Sequence, residues 1–307
     1  MAFWPTPHRR VLSIRAPESN NRIERLHGTE KERTKVLRRF DTDDGAAMIA
    51  EGLLRLGATV VLACRDVRKG EAARAEMVQT IPGAQAEVLR LDLASLDSVR
   101  TFAREFQGHY ANLHVLVNNA GVYTRHWHVT SDGLELQFQV NHLGPFLLTN
   151  LLLNTLRAGA PSRIVNVSSQ AHQGAEMEFE DLQGERRYSG FDAYNQSKLA
   201  LVLFTVELAK RLEGTGVTVN AVHPGVIRTN LGKGEYPRGF DVIRLFLKGP
   251  ERGARTSLYV ATSPALEGVT GQYFAKSAEA RSSPESHDGV AAKRLWDISA
   301  ALAGIST

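Results

Sequence analysis

Tyr194 and Lys198 stand four apart in Tyr194-Asn195-Gln196-Ser197-Lys198, and a serine pair, Ser168-Ser169, lies 25 to 26 residues upstream. Residues four apart share one face of a helix. A hydroxyl projected beside them from a strand end would complete a proton-transfer device for an alcohol or a carbonyl. A tyrosine ordinarily ionises near pH ~10, so serving near neutrality requires about 4 kcal/mol in favour of the phenolate. One cation about 4 Å away in a partly shielded site supplies roughly that much. The spacing therefore fits the chemistry in kind and in size. Alone, Tyr-x-x-x-Lys is common by chance and describes an exposed helical pair equally well.

The surrounding chain supplies elements that could hold such a device. From about residue 50, short β-branched runs alternate with longer helical patterns. Thr59 to Cys64, Ala86 to Leu93, Leu113 to Val117, Ile164 to Ser168 and Val217 to Val222 read as strands, with Gly271 to Phe274 as a last short one. Ala50 to Leu56, Lys69 to Gln79, Leu96 to Gln107 and the stretches around 133–157 and 193–213 read as helices. Such alternation predicts one α/β domain, a doubly wound parallel sheet with helices on both faces. The continuously apolar strands agree, since parallel strands are covered on both sides. In such a sheet a ligand binds beyond the carboxyl ends of the strands.

The polar motifs fall at those ends. Asn118-Asn119-Ala120-Gly121 follows Leu113 to Val117, and Asn141-His142-Leu143-Gly144 begins a strongly apolar helix. Arg163-Ile164-Val165-Asn166-Val167 runs into the two serines, and His223-Pro224-Gly225 follows Val217 to Val222. In this order and spacing the chain resembles the short-chain dehydrogenase/reductase family, and within it the retinol-dehydrogenase-like branch. The resemblance runs from about Ala50 to Ala275, and the motifs taken together are highly specific.

The resemblance implies a Rossmann-type fold and NAD(P)(H)-dependent interconversion of a lipophilic alcohol with its aldehyde or ketone. Tyr194 would be the general acid or base, Lys198 its activator and a contact of the nicotinamide ribose. Ser169 would bind the substrate oxygen, chosen over Ser168 because in this branch the serine stands 25 residues before the tyrosine. Asn141 would hold a water linking Lys198 to solvent. Asp92 and Leu93 would contact adenine, while Asn118, Ala120 and Gly121 would line the cofactor's middle. Pro224, Gly225 and Thr229 would hold the nicotinamide. Arg65, directly after the second strand, favours NADP(H) over NAD(H), because an arginine there accommodates a 2′-phosphate; Asp66 beside it points the other way. The segment 227–252 would be a substrate lid.

One motif is missing. The family carries T-G-x-x-x-G-x-G after the first strand, where glycines let backbone amides meet a pyrophosphate. An ungapped alignment puts Phe40 and Asp44 in place of the first two glycines and Ala46 in place of the third. Thr34 to Arg39 is a poor first strand, and Arg10 to Ile14 is an alternative one without a glycine turn. Three explanations stand open: divergence into a catalytically silent relative acting as a scaffold or binding protein, a cradle rebuilt by another segment, or a faulty reading frame or start before about residue 45.

Composition bounds the rest. Residues 1–39 hold ten Lys/Arg against four Glu, so the net charge of +4 resides at the front and the remainder is slightly acidic. Residues 1–45 are therefore expected as a basic, atypical, poorly ordered segment ahead of a domain spanning 46–307. Such a segment could bind nucleic acid or an anionic membrane, but its composition favours a solvated arm. The only cysteine, Cys64, excludes an internal disulfide and suits a reducing compartment, so a cytoplasmic protein is expected. No apolar run reaches the length of a membrane span. His126-Trp127-His128 lacks the company of metal ligands and reads as surface or substrate rim, while His172 and His223 read as structural. A homo-oligomer is compatible with the family, and no metal is expected.

Overall fold

A computed structural model of the chain describes residues 34–38, 44–225 and 250–306. Its centre is an eight-stranded sheet in the order β3-β2-β1-β4-β5-β6-β7-β8. The strands are β1 (Thr34–Arg38), β2 (Thr59–Cys64), β3 (Gln85–Arg90), β4 (Val115–Asn118), β5 (Ser162–Val167), β6 (Val217–His223), β7 (Tyr273–Ala275) and β8 (Ala278–Glu279). All neighbours are parallel except β7 and β8, which form an antiparallel edge. The order reverses direction between β1 and β4, which is where doubly wound sheets open a ligand crevice.

The sequence signals map onto this frame closely. The β2 run Thr-Val-Val-Leu-Ala-Cys is buried from its second residue onward, and β5 is buried throughout. Helices α1 (Asp44–Arg55), α2 (Val67–Thr80) and α7 (Pro250–Thr262) cover one face, where Ile49, Leu53, Val60 and Leu62 belong to one cluster. The other face carries α3 (Leu96–His109), α4 (Gly144–Leu151), α5 (Leu153–Ala158), α6 (Gly190–Arg211) and α8 (Gly289–Ala303). There Phe102, Phe106, Phe146, Leu199, Phe204 and Trp296 share a second cluster. Helix α8 packs on α6 and was not anticipated from the sequence.

The poor strand Thr34–Arg38 takes an interior position in the sheet, between β2 and β4. Val36 pairs with Val61 on one side and with Leu116 on the other. The domain thus reaches back at least to Thr34, ahead of the expected boundary at 45–46. Arg10 to Ile14, the expected basic arm up to residue 33, residues 39–43, Thr229 and the expected lid residues 227–249 lie outside the described residues; residues 250–252 of the expected lid belong to α7. Among the described residues no helix is long and apolar enough to cross a membrane, and no group of His, Cys, Asp and Glu could hold a metal ion.

Candidate active site

Tyr194 and Lys198 lie on the first half of α6, whose N-terminus is capped by Ser189 through its side chain. Gly190 opens this helix because a Cβ there would stand 2.2 Å from the Thr124 carbonyl oxygen. The close approach lays the loop after β4 across the start of α6. Tyr123 in that loop meets the Tyr194 ring edge to face, with centroids 5.9 Å apart. The Lys198 Nζ lies 5.7 Å from the centroid of the same ring. It also donates to the Val167 carbonyl at 3.1 Å, which fixes the ammonium, 3% exposed as a residue, beneath the end of β5.

The serine pair divides its roles. Ser168 is buried and its hydroxyl donates to the Lys198 carbonyl at 2.9 Å, tying α6 to β5. Ser169 is half-buried, and its Oγ accepts the Ala171 N–H at 3.2 Å, with its own O–H still a donor. This asymmetry supports Ser169 over Ser168 as the substrate-facing hydroxyl. It arises where β5 gives way to a single 3-10 turn, Gln170–His172.

Asn141 sits inside a π-helical turn, Gln139–Leu143, that precedes α4. Single π turns recur at functional sites because they break the regular backbone pattern. The Asn141 amide is bound on both sides: its Oδ1 accepts the Val122 N–H at 2.7 Å, and its Nδ2 donates to the Val122 carbonyl and to Ser197 Oγ. Ser197 Oγ in turn donates to the Tyr194 carbonyl at 2.7 Å. Asn141 thereby connects the loop after β4 to the helix of the tyrosine.

The remaining expected contacts distribute unevenly. Asn118 is 1% exposed; its amide nitrogen donates to Thr149 and Asn166, while its Oδ1 is buried without a partner among the described residues. Ala120 is buried, and a Cβ on Gly121 would lie 3.2 Å from Lys198 Nζ, so the loop passes close to the ammonium there. Asp92 caps its own turn by accepting from the Ala94 N–H, and Leu93 packs where a Cβ on Gly144 would meet it at 3.1 Å. Gly225, after Pro224 at the end of β6, has φ of +92°, which favours glycine. Arg65 is exposed at the end of β2, whereas Asp66 is committed to capping α2 through Arg68 and Lys69 N–H groups.

Several neighbours were not visible as functional from the sequence. Tyr188 joins Gln137, Glu135 and Thr124 through its hydroxyl. Glu135 is 2% exposed and caps the helical turn after it, and burial pushes its carboxyl upward despite those hydrogen bonds. Asp181, on an exposed loop, accepts from the N–H groups of Glu185, Arg186 and Arg187. Trp127 and Phe191 are 45% and 62% exposed. They sit on the β4 loop and on the first turn of α6, respectively. The Trp127 indole donates to the Gln183 carbonyl at 2.9 Å.

A nicotinamide dinucleotide can be tested against the described part of this site. The Asn119 Nδ2, two residues before Gly121, is a buried donor with no partner among the described residues. Hydroxyls from Ser169 and Tyr194, the Lys198 ammonium and the positive-φ Gly225 turn make a donor set suited to a ribose and a carboxamide. These features fit the group. The turn that would meet the pyrophosphate falls in residues 39–43, outside the described ones; beyond it, Ala46, in the third glycine position, is fully buried.

A sequence profile described as short chain dehydrogenase matches residues 45–238. Retinol dehydrogenase 14 of Mus musculus is 46% identical over 296 residues, covering 91% of this chain and 87% of its own length. Retinol dehydrogenase 13 of Homo sapiens is 46% identical over 263 residues, covering 82% and 79%. Among solved structures, an uncharacterized protein from Mycobacterium paratuberculosis superposes with a TM-score of 0.73 at 35% identity, covering 90% of this chain and 94% of that one. The RhlG/NADP active-site complex of Pseudomonas aeruginosa does so with a TM-score of 0.62 at 26% identity, covering 79% and 94%.

Proposed function

The chain belongs to the short-chain dehydrogenase family, and from that premise we propose that it is an NADP(H)-dependent oxidoreductase interconverting a lipophilic alcohol with its aldehyde or ketone. The observation that carries the proposal is the joint seating of Tyr194 and Lys198 on α6 against the end of β5, the strand that Ser168 and Ser169 directly follow.

In this reading Ser169 donates its O–H to the substrate oxygen and steadies negative charge as it develops. Tyr194 gives its phenolic proton to that oxygen in reduction and removes it in oxidation. Lys198, a buried cation beside the ring, favours the phenolate that the transfer leaves behind. Asn141 holds the loop and helix that frame the lysine and would anchor a water leading to solvent. When bound, the nicotinamide supplies or receives the hydride. Pro224, Gly225 and Thr229 would hold it, with Ala120 and Gly121 along its middle and Asp92 and Leu93 at the adenine.

The preference for NADP(H) rests on Arg65. Asp66 could have accepted a ribose hydroxyl, but its carboxylate is engaged by the α2 amides, and the exposed arginine beside it suits a 2′-phosphate. The likeness to the NADP-bound RhlG structure supports the same choice. The lipophilic substrate class is supported by the exposed Trp127 and Phe191 near the helix of Tyr194 and by likeness to two retinol dehydrogenases.

The missing glycine turn gives the silent-relative reading its own observation, because two glycine positions carry Phe40 and Asp44. Titrating the full chain with NADPH and with NADH by calorimetry separates the readings. Saturable NADPH binding, tighter than NADH and weakened by Arg65→Ala, is expected. Absence of binding to both dinucleotides would overturn the enzyme reading in favour of the silent one.

A further inference from the structure

The turn that carries the Ser169 hydroxyl is held from behind by a buried histidine. His172 is fully buried, and its ring lies 4.7 Å from that of Tyr273 in β7. Its Nδ1 is 2.6 Å from the Ser169 carbonyl oxygen, and its Nε2 is 3.1 Å from the backbone nitrogen of Ser283. A backbone N–H can only donate, so Nε2 must be the lone-pair nitrogen. Nδ1 therefore carries the proton and donates it to the Ser169 carbonyl. The ring is neutral with one tautomer fixed, in keeping with burial, which lowers its pKa.

The other hydrogen bonds of the turn agree with a rigid mount. The Gln170 N–H donates to His223 Nδ1 at 3.2 Å, and the Ala171 N–H donates to Ser169 Oγ. His223 directly precedes the Pro224-Gly225 turn, so the serine turn and the proposed nicotinamide turn share a brace. On the far side, Ser283 is buried and its carbonyl accepts from Ser286 Oγ, which locks the 3-10 segment Pro284–His287 leading into α8. The ring of His172 thus spans from this C-terminal segment to the residue whose hydroxyl meets the substrate.

We propose that His172 is a positioning residue for Ser169, and that it makes the orientation of that hydroxyl depend on the docked segment at Ser283. The proposal rests on the reading of Ser169 as the substrate-binding hydroxyl. Misplacement of a catalytic group by ~1 Å can reduce rate by about a hundredfold, so a strained mount should be visible in kcat while cofactor affinity is spared.

Ser283 offers a direct test because its φ of −65° already suits proline. Ser283→Pro removes the N–H that donates to His172 and sets its Cδ against the ring, displacing it, while Ser283→Ala keeps the N–H and deletes only a buried hydroxyl that has no partner among the described residues. With NADPH and a lipophilic aldehyde, Ser283→Pro and His172→Gln are expected to lose about tenfold or more in kcat with unchanged KM for NADPH. Ser283→Ala should lose far less, and His172→Asn, which keeps a donor near Nδ1, should recover part of the rate lost by His172→Ala. Ser169→Ala is measured alongside. If it turns over normally, the reading of Ser169 fails. If it is inactive while folded Ser283→Pro and His172→Gln retain full kcat, the positioning role fails. Nitrogen-15 spectra of the unaltered protein give an independent answer: a neutral His172 protonated on Nδ1 is expected, and protonation on Nε2 overturns the proposal even if the variants do not fold.

Discussion

The chemistry proposed for this chain depends on a cation placed beside a phenol, and the two side chains differ in what fixes them. Lys198 is held by the Val167 carbonyl and by burial, while Tyr194 is bounded by its ammonium and by the Tyr123 ring. Lys198→Met retains the apolar stem and removes the charge. The loss in kcat should be about a hundredfold or more at neutral pH, and the rise of rate with pH in the oxidative direction should move to higher pH. A variant with the unaltered pH profile would mean that the ammonium does not act on the phenol. The pairing of Tyr194 with Lys198 was legible in the sequence because helix geometry puts residues four apart on one face, whereas Ser169 was reached through the resemblance to the family. The division of labour between Ser168 and Ser169 follows from which hydroxyl meets the Lys198 carbonyl, a contact between elements thirty residues apart. The amide nitrogen of Asn118 likewise joins β4, β5 and α4, a tie between elements that the strand-end position alone does not reveal.

At the scale of elements, the site depends on close approaches that only particular residues permit. Gly190 lets the loop after β4 cross the start of α6, bringing Tyr123 onto Tyr194. Gly190→Ala would drive a methyl into the Thr124 and Arg125 backbone, so the loop must move. The expected result is a lower thermal midpoint together with a raised KM for the carbonyl substrate, read by calorimetry and steady-state kinetics. An unchanged KM and midpoint would show that the loop is not fixed by this contact. The strands and most helices were readable because burial on both sheet faces leaves continuous apolar runs. Strand β1 was harder: its lysine and arginine obscure the pattern, and it is recognised by its register between β2 and β4. Helix α8 escaped because its first turns mix charge with exposed Val290, and the helix is defined by the partners of Leu295 and Trp296.

Over the whole molecule, α8 closes the face of α4 and α6 opposite the sheet. Trp296 packs against Phe146 and Phe204, and the Arg211 guanidinium lies 4.0 Å from its ring centroid. Beneath them His142, next to Asn141, meets Ser299 of α8 at 2.8 Å, and burial pushes its pKa down to about 3. Burial also lowers His172 and His223. An unfolded histidine titrates near pH ~6.5, so below that the unfolded chain binds protons that these folded rings refuse. Their effect on stability is therefore absent above about pH 6.5 and becomes a progressive loss as pH falls toward the folded values. Glu135, whose carboxyl is raised first by burial, works in the opposite sense at the acid end. Replacing His142 by Met should make the fall in unfolding free energy between pH ~6.5 and pH ~4 shallower by about one proton, as read from denaturant melts. An identical slope in the variant would rule out His142 as a source of acid lability.

The most direct test of the proposed chemistry follows NADPH consumption with a lipophilic aldehyde, comparing the unaltered protein with Tyr194→Phe. Tyr194→Phe deletes one oxygen and leaves the ring between Tyr123 and Lys198. The expected result is turnover by the unaltered protein and none by Tyr194→Phe, which should still fold and bind NADPH. Turnover by Tyr194→Phe at a comparable rate would contradict the assignment of the phenol as the proton donor.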